Sequence, residues 1–237
     1  MKHFQVCHCI VYVLGVLLFI VVLFIPGLQS VSAGDHPQLI KSGDFVGWHY
    51  TAVRQPDGQL MATVDYNQLS TAGLEHYAIA NKDLTRQLPK TGLLAVSVTF
   101  RYPMAIDAFQ NWVSSNGMIV QAYTLRATTV AGEKWTIGGK PYGGRLVPMD
   151  SLNRQLASIR AYGEAKLDGV VGVDGTINTA NVVSLQAERE VFLVDLTTAF
   201  VRQELRPLLG KDSDQVQVVR PPVYWFMEKY GLRNTSF

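Results

Sequence analysis

Cysteine is nearly absent from this chain: Cys7 and Cys9 are the only two, and both precede a long apolar run. A disulfide framework and a thiol nucleophile are therefore excluded from everything that follows. The triplet Cys7-His8-Cys9 supplies too few ligands for a four-coordinate metal site. Charge of one sign is also missing. Against 21 basic residues stand 19 acidic ones, and no cluster of four or more basic residues occurs. That balance carries no footprint for nucleic acid. The spacings that announce common chemistry are absent too: no H-E-x-x-H for zinc and no G-x-S-x-G for a serine nucleophile.

Long hydrophobic runs are confined to one place. Lys2 is the only formally charged side chain before Asp35, and Ile10 to Ile25 is apolar apart from Tyr12 and Gly15. Pro26-Gly27 breaks the run, and Val31-Ser32-Ala33 follows. Small residues at Val31 and Ala33 fit the two recognition positions of a signal peptidase, with the cut before Gly34. The alternative is an uncleaved anchor over residues 10–28. At about 1.5 Å per residue the run spans roughly 24 Å, short of the ~30 Å hydrocarbon core unless Pro26 to Leu28 extend it. Residues 1–33 thus read as a signal peptide or an amino-terminal membrane anchor. Either way the remainder is expected outside the cytoplasm, because Lys2 keeps the amino terminus inside. The expected product is secreted after cleavage at Ala33 or held to the membrane by residues 10–28.

Beyond the leader, residues 34–43 are polar, contain Pro37 and Gly43, and read as a linker. Phe45 to Val53 and Leu60 to Tyr66 read as strands flanking Gln55-Pro56-Asp57-Gly58. In that turn, proline presets φ and glycine accepts a positive φ. A helix is expected within 67–88, burying Leu74, Tyr77, Leu84 and Leu88. Leu93 to Phe100 alternates, with Leu94, Val96, Val98 and Phe100 on one face and Ala95, Ser97 and Thr99 on the other. Pro103 marks the start of a helix over 104–115, with Ala105, Phe109 and Trp112 in its apolar stripe and Asn116-Gly117 as its stop. Met118 to Thr128 returns as a strand, completing a strand–helix–strand unit.

A looser stretch follows, with a short strand at 134–137, a loop at Gly138 to Gly144 and a helix from Asp150 to Tyr162. Then come a glycine-rich strand at Gly169 to Ile177 and a helix from Asn178 or Thr179 through Ala187, packing Val183, Leu185 and Ala187. Val191 to Leu196 forms the next strand. Thr197 or Thr198 caps a helix ending near Pro207 and Gly210. Val216 to Val219 reads as a last strand and Tyr224 to Tyr230 as an aromatic helix. The apolar run Val191 to Val194 implies a strand covered on both faces.

The stretch Gly169 to Asp195, GVVGVDGTINTANVVSLQAEREVFLVD, resembles the second half of the subtilisin-type protease propeptide and inhibitor family, and residues 93–196 share its element order. The resemblance implies an α+β fold of the ferredoxin-like kind, a split β-α-β sandwich with an antiparallel or mixed sheet. It also implies a sheet that packs against a protease, with the tail after the last strand lying in the protease cleft. The organisation expected is an extension at 34–92, a ferredoxin-like core at 93–210 with an insertion at 130–167, and a terminal extension at 211–237. The helix expected after Asp195 departs from the family's extended tail.

No residue type in this chain forms a recognisable catalytic set. Glu75 and His76 are adjacent and point about a hundred degrees apart on a helix. Lys140 is followed by Pro141, with no helix beginning there, so Gly138 to Gly144 is a turn and not a phosphate loop. Asp65, Asp107, Asp174 and Asp195 can be paired only by the fold, and Asp195 itself suits the end of a strand or the cap of a helix. Tyr224, Trp225, Phe226 and Tyr230 suit the packing of a terminal helix. No cofactor, metal site or catalytic residue is assigned, and the binding residues are left open. The expectation is an exported, non-enzymatic protein-binding domain, acting as an inhibitor, assembly or sensing module, with a protein partner, the membrane if the leader is retained, and no nucleic acid. The alternative is an envelope hydrolase or small-ligand-binding protein whose site is assembled from distant residues. A deep pocket lined by several of His49, Asp65, His76 and Asp107 would favour it.

Overall fold

A computed structural model describes residues 36–68 and 70–234. The expected leader, with Val31, Ala33 and Gly34, lies outside the described residues. Among those described, no helix is long and apolar enough to cross a membrane. The fold is α+β, with two sheets and six α-helices in the described chain.

The first sheet contains β1 (Gln38–Phe45), β2 (Trp48–Arg54) and β3 (Leu60–Tyr66), which form an antiparallel meander. The β2–β3 turn is the expected one, with Gly58 at φ +85°. Strand β1 corrects the linker expected at 34–43. Its side chains are largely polar because it is the outer strand and half exposed, so backbone pairing with β2 defines it and not an apolar pattern. Gly47, at φ +88°, closes the two-residue turn between β1 and β2, which places Trp48 opposite Phe45. The fourth strand comes from far along the chain: β9 (Gln217–Val219) runs parallel to β3. The segments at either end of the described chain therefore share one sheet.

Helix α1 (Thr71–Leu84) begins where the Ser70 hydroxyl accepts from the Gly73 amide, and Leu74, Tyr77, Leu84 and nearby Leu88 are buried as their spacing predicts. The second sheet follows. Its strands are β4 (Leu93–Met104), β5 (Ile119–Thr129), β6 (Lys134–Gly139), β7 (Ala165–Asn178) and β8 (Val191–Asp195). They lie in the order β6-β5-β7-β4-β8, with every neighbouring pair antiparallel.

Helix α2 (Ile106–Asn116) starts later than Pro103 suggests, and β4 runs on through that proline. Pro103 falls within a register shift between Thr99 and Met104, where no ladder amide to β7 is lost. Gly117, at φ +59°, ends α2 as expected. The insertion supplies β6 and helix α3 (Met149–Ile159), followed by one 3₁₀ turn over 160–162. Gly138 and Gly139 belong to β6 and not to a loop.

The helix expected over 178–187 is only a 3₁₀ turn and the short helix α4 (Val182–Gln186). Val182 and Leu185 are buried there, whereas Val183 faces solvent. The last helices are α5 (Thr197–Leu209) and α6 (Val223–Lys229). Pro207 lies inside α5, and Gly210 ends it. Neither Thr197 nor Thr198 is the N-cap of α5; that position is Leu196, and Asp195 supplies the carboxylate that receives the Thr197 amide.

Antiparallel register puts paired residues on one face. Val98, Val173, Tyr123 and Val194 share the apolar face of the second sheet. Helix α2 covers that face through Phe109, whose ring meets Phe100 and Tyr123 edge-on. Helices α1, α5 and α6 lie between the two sheets. Phe200 of α5 meets Phe45 and Trp48, Tyr77 of α1 meets Tyr66, and Phe226 of α6 also meets Tyr66. One continuous core results.

Candidate functional site: a cavity between the two sheets

The face of the second sheet that turns toward the first is polar. Register sets its residues in transverse rows. Asp195, Ser97 and Asp174 form one row; Thr99, Gly172 and Thr124 form the next; Arg126 and Thr136 pair beyond them. The segment Arg220 to Trp225, with Pro221-Pro222 at its centre, crosses this face, and a cavity of about 220 Å³ lies between them. A glycine within a strand often marks a close approach by a ligand or another backbone. Gly172, between Thr99 and Thr124, leaves room on the cavity floor.

Two networks border the cavity. At one end Asp195, 2% exposed, accepts from the Tyr77 hydroxyl at 2.6 Å through Oδ2. Its Oδ1 accepts from the Thr197 amide at 2.9 Å and the Thr197 hydroxyl at 2.6 Å. Arg220 donates to Asp174 at 2.5 Å and stands 3.8 Å from Asp195. Burial alone would lower the Arg220 pKa, but the charges of Asp195 and Asp174 keep it above its ordinary value. Burial, with the Asp195 charge second, pushes the Tyr77 and Tyr66 hydroxyls well above the ordinary tyrosine range. Both stay neutral across the physiological range.

At the other end Arg126, 3% exposed, donates to Thr136 and to Glu228, each at 2.8 Å. Glu228 also receives Lys134 at 2.7 Å and Arg233 at 2.6 Å. Burial would raise the Glu228 pKa. The Lys134 hydrogen bond and the charges of Arg126, Lys134 and Arg233 outweigh it and hold the carboxyl below its ordinary value. The Tyr224 ring lies under the Arg126 guanidinium, 5.1 Å from it.

Among the described residues, few buried side-chain polar atoms lack a hydrogen-bond partner. Arg126 Nε and Arg220 Nε are two of them, and both arginines line the cavity. A third, the Tyr66 hydroxyl, lies in the field of Asp195 and Arg220. A buried donor without an acceptor costs about 1–3 kcal/mol. Each of these atoms has almost no accessible surface, so they are a cost the fold bears beside the cavity.

Of the four carboxylates that sequence alone cannot pair, Asp174 and Asp195 converge on Arg220. Asp65 and Asp107 do not join them. Asp65 is exposed opposite His49 in the first sheet, and Asp107 is exposed in the first turn of α2. His49 meets Asn67 at 3.2 Å, and His76 is exposed on α1. His49, Asp65, His76 and Asp107 line no common pocket. Among the described residues no group of three or more His, Cys, Asp or Glu is placed to hold a metal. Sequence reasoning missed Arg126, Thr124, Thr136 and Arg220. The available signal was the polar side of two alternating strands, Ser97-x-Thr99 and Thr124-x-Arg126, set against Val96, Val98 and Phe100 in the one and Tyr123, Leu125 and Ala127 in the other.

Comparison with protein-family models, with curated proteins and with solved structures finds no match to this chain.

Proposed function

We propose that this is an exported, non-enzymatic binding domain on a ferredoxin-like core, and that it takes a small polar ligand into the cavity beneath Arg220 to Trp225. The core assignment is supported by the order β8-β4-β7-β5, with α2 joining β4 to β5 and α4 joining β7 to β8. Export rests on the leader pattern at residues 1–33. The single observation that carries the ligand reading is the cavity itself, lined by two buried arginines, Arg126 and Arg220, and by the row of Thr99 and Thr124.

A small ligand suits the geometry better than a protein partner on this face. The propeptide resemblance implies a sheet face offered to a protease. Here the polar face lies under the chain's own α1, α5 and α6, and the chain continues from Asp195 directly into α5.

The test is saturation-transfer NMR on the full chain with a panel of amino acids, sugars, organic acids and nucleosides. Thr124→Phe, which fills the cavity, serves as the control, with circular dichroism to verify its fold. Binding of at least one class to the native chain and not to T124F is expected. Absence of binding across the panel, or equal binding to a folded T124F, overturns the reading.

A further inference from the structure

Each charged side chain that lines the cavity already faces an opposite charge. The lining holds two arginines, Arg126 and Arg220, and two aspartates, Asp174 and Asp195, so its formal charges cancel. Arg126 meets Glu228 at 2.8 Å, and Arg220 stands 2.5 Å from Asp174 and 3.8 Å from Asp195. A charged ligand would give up its hydration on entry without meeting a waiting countercharge. The lining favours a neutral ligand.

Hydroxyl groups supply most of the remaining polar lining. Those of Ser97, Thr99 and Thr124 have no hydrogen-bond partner among the described residues, and they are not among its sealed polar atoms, so they keep surface open to the cavity. Thr136 accepts from Arg126 and retains its own proton to donate. Half-exposed Asp174 binds Arg220 through Oδ1 and keeps Oδ2 for a ligand hydroxyl. A hydroxyl both donates and accepts, so a row of them suits a ligand that is itself rich in hydroxyls. Neighbouring strands lie about 4.8 Å apart, so Thr99 and Thr124 face each other across Gly172 from roughly 10 Å. Without a side chain at Gly172, that floor accepts one ring bearing hydroxyls at both edges.

An aromatic wall completes the site. Trp225 borders the cavity and is 46% exposed. Lys229 stands over its ring at 5.0 Å and Phe226 meets it edge-on, which holds the indole in place. An exposed indole beside hydroxyl side chains fits a ring whose faces are C–H and whose edges are O–H. Size agrees. Benzene fills a cavity of about 150 Å³, so the cavity of about 220 Å³ holds roughly nine non-hydrogen atoms, close to the ten of a pentose.

We propose that the ligand is a neutral sugar, one ring deep, with its hydroxyls against Ser97, Thr99, Thr124 and Asp174 and its C–H face against Trp225. This rests on the ligand-binding reading above and adds the chemical class.

The full chain is titrated with ribose, arabinose, xylose, glucose and galactose, with glucuronate and glucosamine as charged counterparts, and followed by saturation-transfer NMR. At least one neutral sugar is expected to bind saturably, with its ring C–H protons receiving the strongest transfer and neither charged counterpart binding more tightly. Trp225→Ala is expected to weaken that sugar about tenfold, and Trp225→Tyr, which keeps an aromatic ring, less. Thr99→Val keeps the side-chain shape and is expected to weaken it about tenfold. Circular dichroism verifies the fold of each variant. No saturable binding by any neutral sugar, tighter binding of a charged counterpart, or unchanged binding to folded W225A and T99V overturns the proposal. If an amino acid, organic acid or nucleoside binds the native chain but not T124F, and no sugar does, the sugar inference falls while the binding reading stands. If nothing in the panel binds, both fall.

Discussion

The Tyr77 hydroxyl donates to Asp195 Oδ2 across 118 residues of chain, at 2.6 Å, with both side chains buried. That contact fastens α1 to the edge strand β8 and closes one end of the polar cavity. A hydrogen bond to a buried carboxylate contributes about 1.5–3 kcal/mol. Tyr77→Phe is expected to lose that amount in urea unfolding with the fold retained. Asp195→Ala is expected to cost more, about 3–5 kcal/mol, because it also strips one of two carboxylates from Arg220. Equal losses, or a loss below about 0.5 kcal/mol for Y77F, would contradict the network.

Acid stability is expected to depend on Glu228. Its carboxyl lies below the ordinary value of 4.5 in the folded chain. A group depressed on folding contributes stability that is fully present above its unfolded pKa and lost as pH falls through its folded pKa. The native chain is therefore expected to exceed Glu228→Gln in stability by about 2 kcal/mol near neutrality, with the difference shrinking below about pH 4.5. Urea midpoints between neutral pH and about pH 3 measure it. A difference constant across that window would contradict the assignment.

Glycines in β7 are expected to differ sharply. Gly169 has φ +142°, and a Cβ there would collide with the Met104 carbonyl oxygen. At Gly172 the nearest atom to a Cβ is the Val98 carbonyl oxygen at 3.2 Å. Gly169→Ala is expected to cost about 2 kcal/mol or more, from strain and steric conflict together, and Gly172→Ala under about 1 kcal/mol. Equilibrium unfolding of both variants tests the order, and a reversed order would contradict it.

The two sheets are expected to unfold together. Phe200 of α5 contacts Phe45 and Trp48 of the first sheet, Lys41 pairs with Glu204 of the same helix at 2.6 Å, and β9 joins β3. Fluorescence of variants retaining only Trp48 or only Trp112 is expected to show coincident midpoints, and circular dichroism to match both. Two separated transitions would show that the sheets are independent. Phe200→Ala is expected to lower both midpoints together, at a cost of about 3–5 kcal/mol.

Much of the second sheet is legible in the sequence because its strands alternate or run wholly apolar. Leu94, Val96, Val98 and Phe100 announce β4, and Val191 to Val194 announce a strand covered on both sides. The turn at Gln55 to Gly58 is local chemistry, so it too is readable. Strand β1 is not legible, because an outer strand needs backbone pairing more than apolar side chains. The shortness of α4 escapes for a related reason. Asn178 engages the Ala180 amide locally, and only Val182 and Leu185 of that stretch are buried.

The site is less legible than the fold. Arg126 and Arg220 are 94 positions apart, and neither carries a motif. They meet one cavity because β5 and the Arg220 to Trp225 segment are brought together over the same sheet face. Ser97 and Thr99 are visible as the second side of an alternating strand, a side that a sequence reading assigns to solvent. The fold places it between two sheets instead.

A high-resolution crystal structure of the full chain grown with the panel compound that binds tests the central claim most directly. The account predicts that compound in the cavity between Arg126 and Arg220, beside Thr99 and Thr124, and its loss in crystals of T124F. A cavity holding only water in both forms would contradict it.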